Sequence, residues 1–79
     1  MTEDKRIVEE EILAILEEAI REERESASRY QKGLALAADP EVKSMFERLI
    51  RDEETHERVL KERYYEIKKR LGLKVMKDK

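Results

Sequence analysis

The chain has 79 residues, of which 48% are charged, 39% hydrophobic and 5% aromatic, and it contains no cysteine. That length holds one small domain spanning 1–79, and the missing cysteine excludes disulfides, thiolate metal sites and Fe–S clusters. The formal net charge of −2 comes from 20 acidic and 18 basic residues mixed along the sequence, so no basic block suited to nucleic acid stands out.

A chain of this size has a thin core, because below about 70–80 residues one core rarely supplies more than about 3–5 kcal/mol. Without disulfides, the remaining remedies are a metal, self-association, or both. No apolar stretch approaches the roughly 20 residues of a membrane span. The opening Met1-Thr-Glu-Asp-Lys-Arg6 lacks the apolar centre of a secretion signal, so the expected location is the cytoplasm.

In chain order, the pattern predicts a first helix over about 4–38, a corner at Asp39-Pro40, a second helix over about 40–71 and a short tail at 73–79. Asp39 reads as an N-cap with proline at the first helical position. Gly72 reads as the residue just past the second helix, after a last turn containing Lys68, Lys69 and Arg70. The tail is read as a frayed end, a disordered segment or a docking peptide. On the first helix Ile12, Leu16, Ala19 or Ile20, Ala27, Tyr30, Leu34 and Ala37 recur at spacings of three and four. Val42, Met45 or Phe46, Leu49, Leu60, Tyr64, Ile67 and Leu71 do so on the second. Glu17–Arg21, Glu25–Arg29, Glu47–Arg51, Glu54–Arg58 and Glu57–Lys61 supply i,i+4 pairs on the exposed faces.

The fold class is therefore all-α: with so short a corner the helices fold back as an antiparallel two-helix hairpin. A hairpin has one seam and leaves apolar surface open. Two copies packed together make a four-helix bundle, so dimerisation is expected.

Three polar residues interrupt the apolar stripes. The register 12, 16, 19, 23, 27, 30, 34 places Glu23 in the first seam, and 42, 46, 49, 53, 56, 60, 64, 67 places Glu53 and His56 in the second. His56 is the one histidine of the chain. Burying these groups without partners costs several kcal/mol each. In a hairpin turning near residue 39, Glu23 faces position 55, so the three share one layer about 24 Å from the turn. A Glu on one helix facing Glu-x-x-His on the other is the constellation of di-iron and di-manganese carboxylate bundles.

One chain carries half of such a site, since the full site takes four carboxylates and two histidines. Both half-sites meet at the centre of a bundle if a two-fold axis relates two hairpins through their midpoints. Four carboxylates then balance two divalent ions in charge. Metal binding is expected to be coupled to dimer stability.

Other readings of the same residues stay open. Glu23 and Glu53 could sit at the seam edge and pair with Arg24 or Arg29. Glu22 and Glu25 rival Glu23, because a slip of one register changes which acid points inward. Tyr30, one heptad after Glu23, is either core with its hydroxyl at the edge or a hydrogen-bond donor to a metal-bound carboxylate. Asp52, Glu54 and Glu57 read as a solvated face. Ser26 and Ser28 ease close packing and carry no nucleophilic role. Beside a redox centre stand two further functional readings: a non-catalytic module holding Zn or Mn, and a structural hairpin dimer whose polar layer fixes register.

These residues resemble the ferritin-like superfamily, and rubrerythrins in particular. Glu23-Arg-Glu-Ser-Ala-Ser-Arg-Tyr30 resembles the first-helix Glu with a tyrosine seven residues later. Asp39-Pro-Glu-Val-Lys-Ser-Met-Phe46-Glu-Arg-Leu49 resembles the corner and helix start, and Asp52-Glu53-Glu54-Thr55-His56-Glu57 resembles the Glu-x-x-His segment. The resemblance covers about 17–62 and departs from the family in carrying one motif copy and no cysteine-bearing rubredoxin segment. A single copy is similar to encapsulated ferritins, whose two-helix chains assemble a ferroxidase centre between subunits. The resemblance implies Fe as cofactor, two ions per dimer, and oxidation of Fe(II) by dioxygen or peroxide. Glu23 and His56 would then be terminal ligands and Glu53 the bridge. It also implies a homodimer or higher ring and an encapsulin shell as partner, although Leu71-Gly-Leu-Lys-Val-Met-Lys-Asp-Lys79 shows no clear Gly-Ser-Leu docking signal.

Overall fold

The computed structural model of the chain describes residues 3–73. Helix α1 spans Glu3–Leu36 and helix α2 spans Pro40–Arg70, packed against each other as an antiparallel hairpin. The corner follows from its residues. Asp39 is held extended at φ −70°, ψ 124°, as steric contact with the following proline ring requires. Its Oδ1 accepts from the Glu41 N–H at 2.8 Å, and its carbonyl accepts the first α2 bond from Lys43 N–H at 3.0 Å. α1 stops at Leu36, two residues short of the expected end at Ala38, because Ala37, Ala38 and the extended Asp39 are needed to reverse the chain.

At the other end Leu71 caps α2 and Gly72 takes φ +72°, a left-handed conformation that glycine adopts at least cost. The Gly72 N–H donates to Lys69 O and the Leu73 N–H to Lys68 O, the paired bonds of a Schellman stop. Leu73 then packs onto the cluster of Leu13, Ile67 and Leu71. The tail expectation thus fails at its first residue, which a backbone bond and an apolar contact hold in place. Residues 74–79 of that expectation lie outside the described residues.

Apolar contacts form a cluster near each end of the hairpin, and Ile20 is buried close to its middle. Near the termini Leu13, Ile67 and Leu71 are buried, with Leu16 and Tyr64 against them. Near the corner the Phe46 ring lies over Gly33 and beside Tyr30, whose ring centroid is 6.2 Å away. Gly33 makes that approach feasible, since a Cβ there would sit 2.5 Å from Phe46 Cζ.

The register differs from the expected one in the first half of α1. Leu13 is 7% exposed while Ile12 is 38% exposed, so the buried line runs 13, 16, 20 and not 12, 16, 19. Counting back from Glu23 by three, four and three gives the same line. On α2 Phe46, not Met45, turns inward, and Val42 is exposed.

The displaced residues form a second stripe. Val8, Ile12, Ile15 and Ala19 continue at the same spacing to Glu23 and Tyr30, and Met45, Leu49, His56 and Val59 form its counterpart on α2. Val8, Ile12, Ile15, Met45 and Val59 are all exposed. The molecule is a slab of 55 × 22 × 14 Å with a radius of gyration of 16.5 Å, against about 11.6 Å for a compact chain of this length. Among the described residues no helix is long and apolar enough to cross a membrane.

Candidate metal centre

Halfway along the slab the seam turns polar. Glu23 comes from α1, and Glu53 and His56 come from successive turns of α2. The i,i+3 spacing places the last two on one side of their helix. Each of the three offers a ligand atom within 4.8 Å of the others. His56 Nδ1 stands 3.5 Å from both Glu23 Oε2 and Glu53 Oε1. That separation is long for a hydrogen bond and suits two donors each about 2.1 Å from a shared cation.

Burial within the layer is uneven. The Glu53 and Glu23 side chains are 16% and 23% exposed, whereas His56 is 58% exposed. The expectation that His56 lies buried in the seam is corrected here: it sits at the seam's edge, on the stripe shared with Leu49 and Val59. Among the described residues none covers that edge.

Glu23 Oε2 is buried and has no hydrogen-bond partner among the described residues. Burial pushes the Glu23 carboxyl above its ordinary pKa, and the hydrogen bond and charge of Glu53 push the same way against the opposing pull of His56. An orphaned carboxylate oxygen next to a second carboxylate and an imidazole is a donor set suited to a divalent cation. The residues present therefore fit a metal.

The rival assignments separate cleanly. Glu22 and Glu25 are exposed, as are Asp52 and Glu54. Arg24 donates to Glu57 Oε1 at 2.8 Å, and Arg29 donates to Ser26 Oγ at 3.1 Å. Tyr30 packs its ring on Phe46, and its hydroxyl makes no hydrogen bond among the described residues. Glu57, read from sequence as solvated, is half-buried, holding Arg24 across the seam and Lys61 at 3.5 Å one turn on. Of the five surface pairs expected, Glu57–Lys61 is thus formed. Sequence reading also missed the Tyr64 hydroxyl donating to Glu17 Oε1 at 2.5 Å between the helices. The height rule that joins Glu23 to His56 sets Glu17 level with Lys61, one turn from Tyr64, and a tyrosine is long enough to span that offset.

An antiparallel hairpin carrying Glu on one helix and Glu-x-x-His on the other is half of a ferritin-like carboxylate bundle. The sequence model of the rubrerythrin family matches residues 14–79. The chain belongs to the rubrerythrin family, within the ferritin-like superfamily. Membership points to a carboxylate protein of the di-iron type, with Glu23, Glu53 and His56 as its possible metal-holding group. No curated protein and no solved structure matches the chain.

Proposed function

We propose that the protein is a ferroxidase-type di-iron carboxylate protein whose centre is shared by two copies of the chain. The observation that carries this reading is the convergence of Glu23, Glu53 and His56 within 4.8 Å, at the edge where the exposed apolar stripe crosses the seam. A second hairpin laid on that stripe brings a second triplet, giving four carboxylates and two imidazoles. Surface area supports the pairing. The chain exposes 6458 Å², against about 5,000 Å² for a compact monomer of its mass, and a stable interface takes about 800 Å² from each partner.

Glu23, Glu53 and His56 would hold the iron. Iron held there would supply the redox chemistry for oxidation of Fe(II) by dioxygen or peroxide. The chain's own part is to present charge where water is scarce. Glu53 and Glu23 lie half-buried between helices whose corner and Schellman stop fix their height. The raised pKa of Glu23 means that protons compete with a cation for its carboxylate, so metal binding strengthens as pH rises. Covering His56 in the dimer lowers the local dielectric and strengthens each of these interactions.

Aerobic addition of Fe(II) to metal-free protein tests the reading. Oxygen uptake continuing beyond the bound iron is the expected result, with a solution mass of two chains or a multiple. Metal binding without oxygen uptake would instead assign a Zn- or Mn-holding module. Thermal stability unchanged by every divalent metal would leave a structural hairpin. Glu53→Ala should abolish oxidation and weaken metal binding by about 100-fold or more while helicity by circular dichroism stays near native. Full oxidation in that variant rules out the ligand assignment.

A further inference from the structure

The metal layer has a second edge. A recess opens there between the helices, and Glu23, Glu53, Arg24, Glu57 and Glu54 are among the residues that line it, whereas His56 is not. Helix geometry accounts for the grouping. Glu57 stands one turn beyond Glu53 on α2, and Arg24 follows Glu23 about 100° further round α1. The recess therefore sets a guanidinium beside the two carboxylates that the centre needs.

An arginine in that place is a rival for metal. A guanidinium takes carboxylates through charge-assisted hydrogen bonds and does not give up its charge. Settled on Glu23 or Glu53, it would cancel the negative charge that attracts a divalent ion. The structure shows a different pairing. Arg24 Nε donates to Glu57 Oε1 at 2.8 Å across the seam, and Glu57 Oε2 stands 3.5 Å from Lys61 Nζ. Glu23 Oε2 is buried without a hydrogen-bond partner among the described residues. The Glu57 side chain is 27% exposed, so solvent and salt screen its charge less than that of a surface acid. Arg24 and Glu57 cancel in charge, and the two carboxylates of each chain's triplet stay matched to one divalent ion.

We propose that Glu57 is a positioning residue for the metal centre: by holding Arg24 across the seam it keeps Glu23 and Glu53 available to a divalent cation. The inference rests on the reading of Glu23, Glu53 and His56 as the ligands. Glu57 is not one of them and acts through the arginine. With Glu57 neutral, the cationic charge stays beside the layer with one acid fewer to offset it, and affinity for a divalent cation falls.

Titration of the metal-free full chain with Co(II), followed by its visible absorption, tests the proposal. Glu57→Gln should weaken Co(II) binding by about 10-fold or more. Adding Arg24→Gln to that variant should restore affinity to within about 3-fold of wild type, since it removes the charge that Glu57 held. Glu54→Gln, which neutralises an exposed acid of the same recess, should alter affinity by less than about 3-fold. A purely structural ion pair would behave otherwise, because the double variant lacks the pair altogether and would bind no better than Glu57→Gln. Three results would overturn the proposal: Glu57→Gln within about 3-fold of wild type, no recovery in the double variant, or equal loss in Glu54→Gln. Glu53→Ala separates the underlying reading. Wild-type affinity in that variant would remove the ligand assignment and this inference with it, whereas weak binding there beside an unaffected Glu57→Gln removes this inference alone.

Discussion

The ends of the hairpin and its middle are built on opposite principles. At the terminal end Leu13, Ile67, Leu71 and Leu73 close on one another, and the Schellman stop returns the chain onto them. In the middle, Glu23, Glu53 and His56 leave a carboxylate oxygen without a hydrogen-bond partner among the described residues. Apolar packing sets the distance between the helices, and the layer between the two apolar clusters inherits that distance whether or not it suits carboxylates. Apolar packing and the proposed metal chemistry thus fall to different residues. Substitutions should separate them.

The largest effect on stability is expected from Leu13→Ala, which hollows the terminal cluster. Truncation of a buried leucine costs about 2–5 kcal/mol, and a side chain with one open flank should fall near the lower end. Chemical denaturation of metal-free protein would show it, with metal affinity per folded chain unchanged. A proportional loss of affinity would mean that the ends and the middle are one unit.

Gly33→Ala should have a smaller effect. Its new Cβ would meet Phe46 Cζ at 2.5 Å, an overpacking worth about 1–3 kcal/mol. Against this stands a gain of about 1 kcal/mol in helix propensity, so a net loss of about 1 kcal/mol is expected by thermal melting. A stabilised variant would show that the Phe46 ring swings aside freely.

The smallest effect is a pH dependence confined to the middle layer. The folded-state pKa of Glu23 is raised above its unfolded value, chiefly by burial. Its contribution to stability is therefore fully present below the unfolded pKa and is lost as pH rises through the folded one. Metal-free protein should lose stability over that interval, metal affinity should rise over it, and Glu23→Gln should flatten both. A Glu23→Gln variant with an unchanged stability slope would place the titration elsewhere.

The sequence made the corner and the stop legible because each is specified locally. Asp39-Pro40 and Gly72 carry their geometry in their own covalent structure, with no help from distant residues. The meeting of Glu23 with Glu53 and His56 was legible for a related reason: once the turn is placed, antiparallel helices of constant rise fix which residues are level. The inward line of α1 was not legible. In its first half Val8, Ile12 and Ile15 lie beside Leu13, Leu16 and Ile20, so the apolar arc is two stripes wide and either could face α2. Packing against Ile67 and Leu71 decides between them. The exposure of His56 was hidden likewise, since it depends on which side of the seam the hairpin leaves bare. Glu57 was misread because its partner Arg24 is 33 positions away in the chain.

The solitary imidazole has a practical consequence. His56 is the only histidine and stands at the open edge of the seam with Nδ1 directed at both carboxylates. A proton magnetic resonance spectrum of the unlabelled protein should hold one pair of imidazole ring signals, free of assignment ambiguity. Their position would track cation loading through Nδ1, and their broadening by a soluble paramagnetic agent would track whether the proposed second hairpin closes the edge. A single side chain thereby reports occupancy and association as two separable observables.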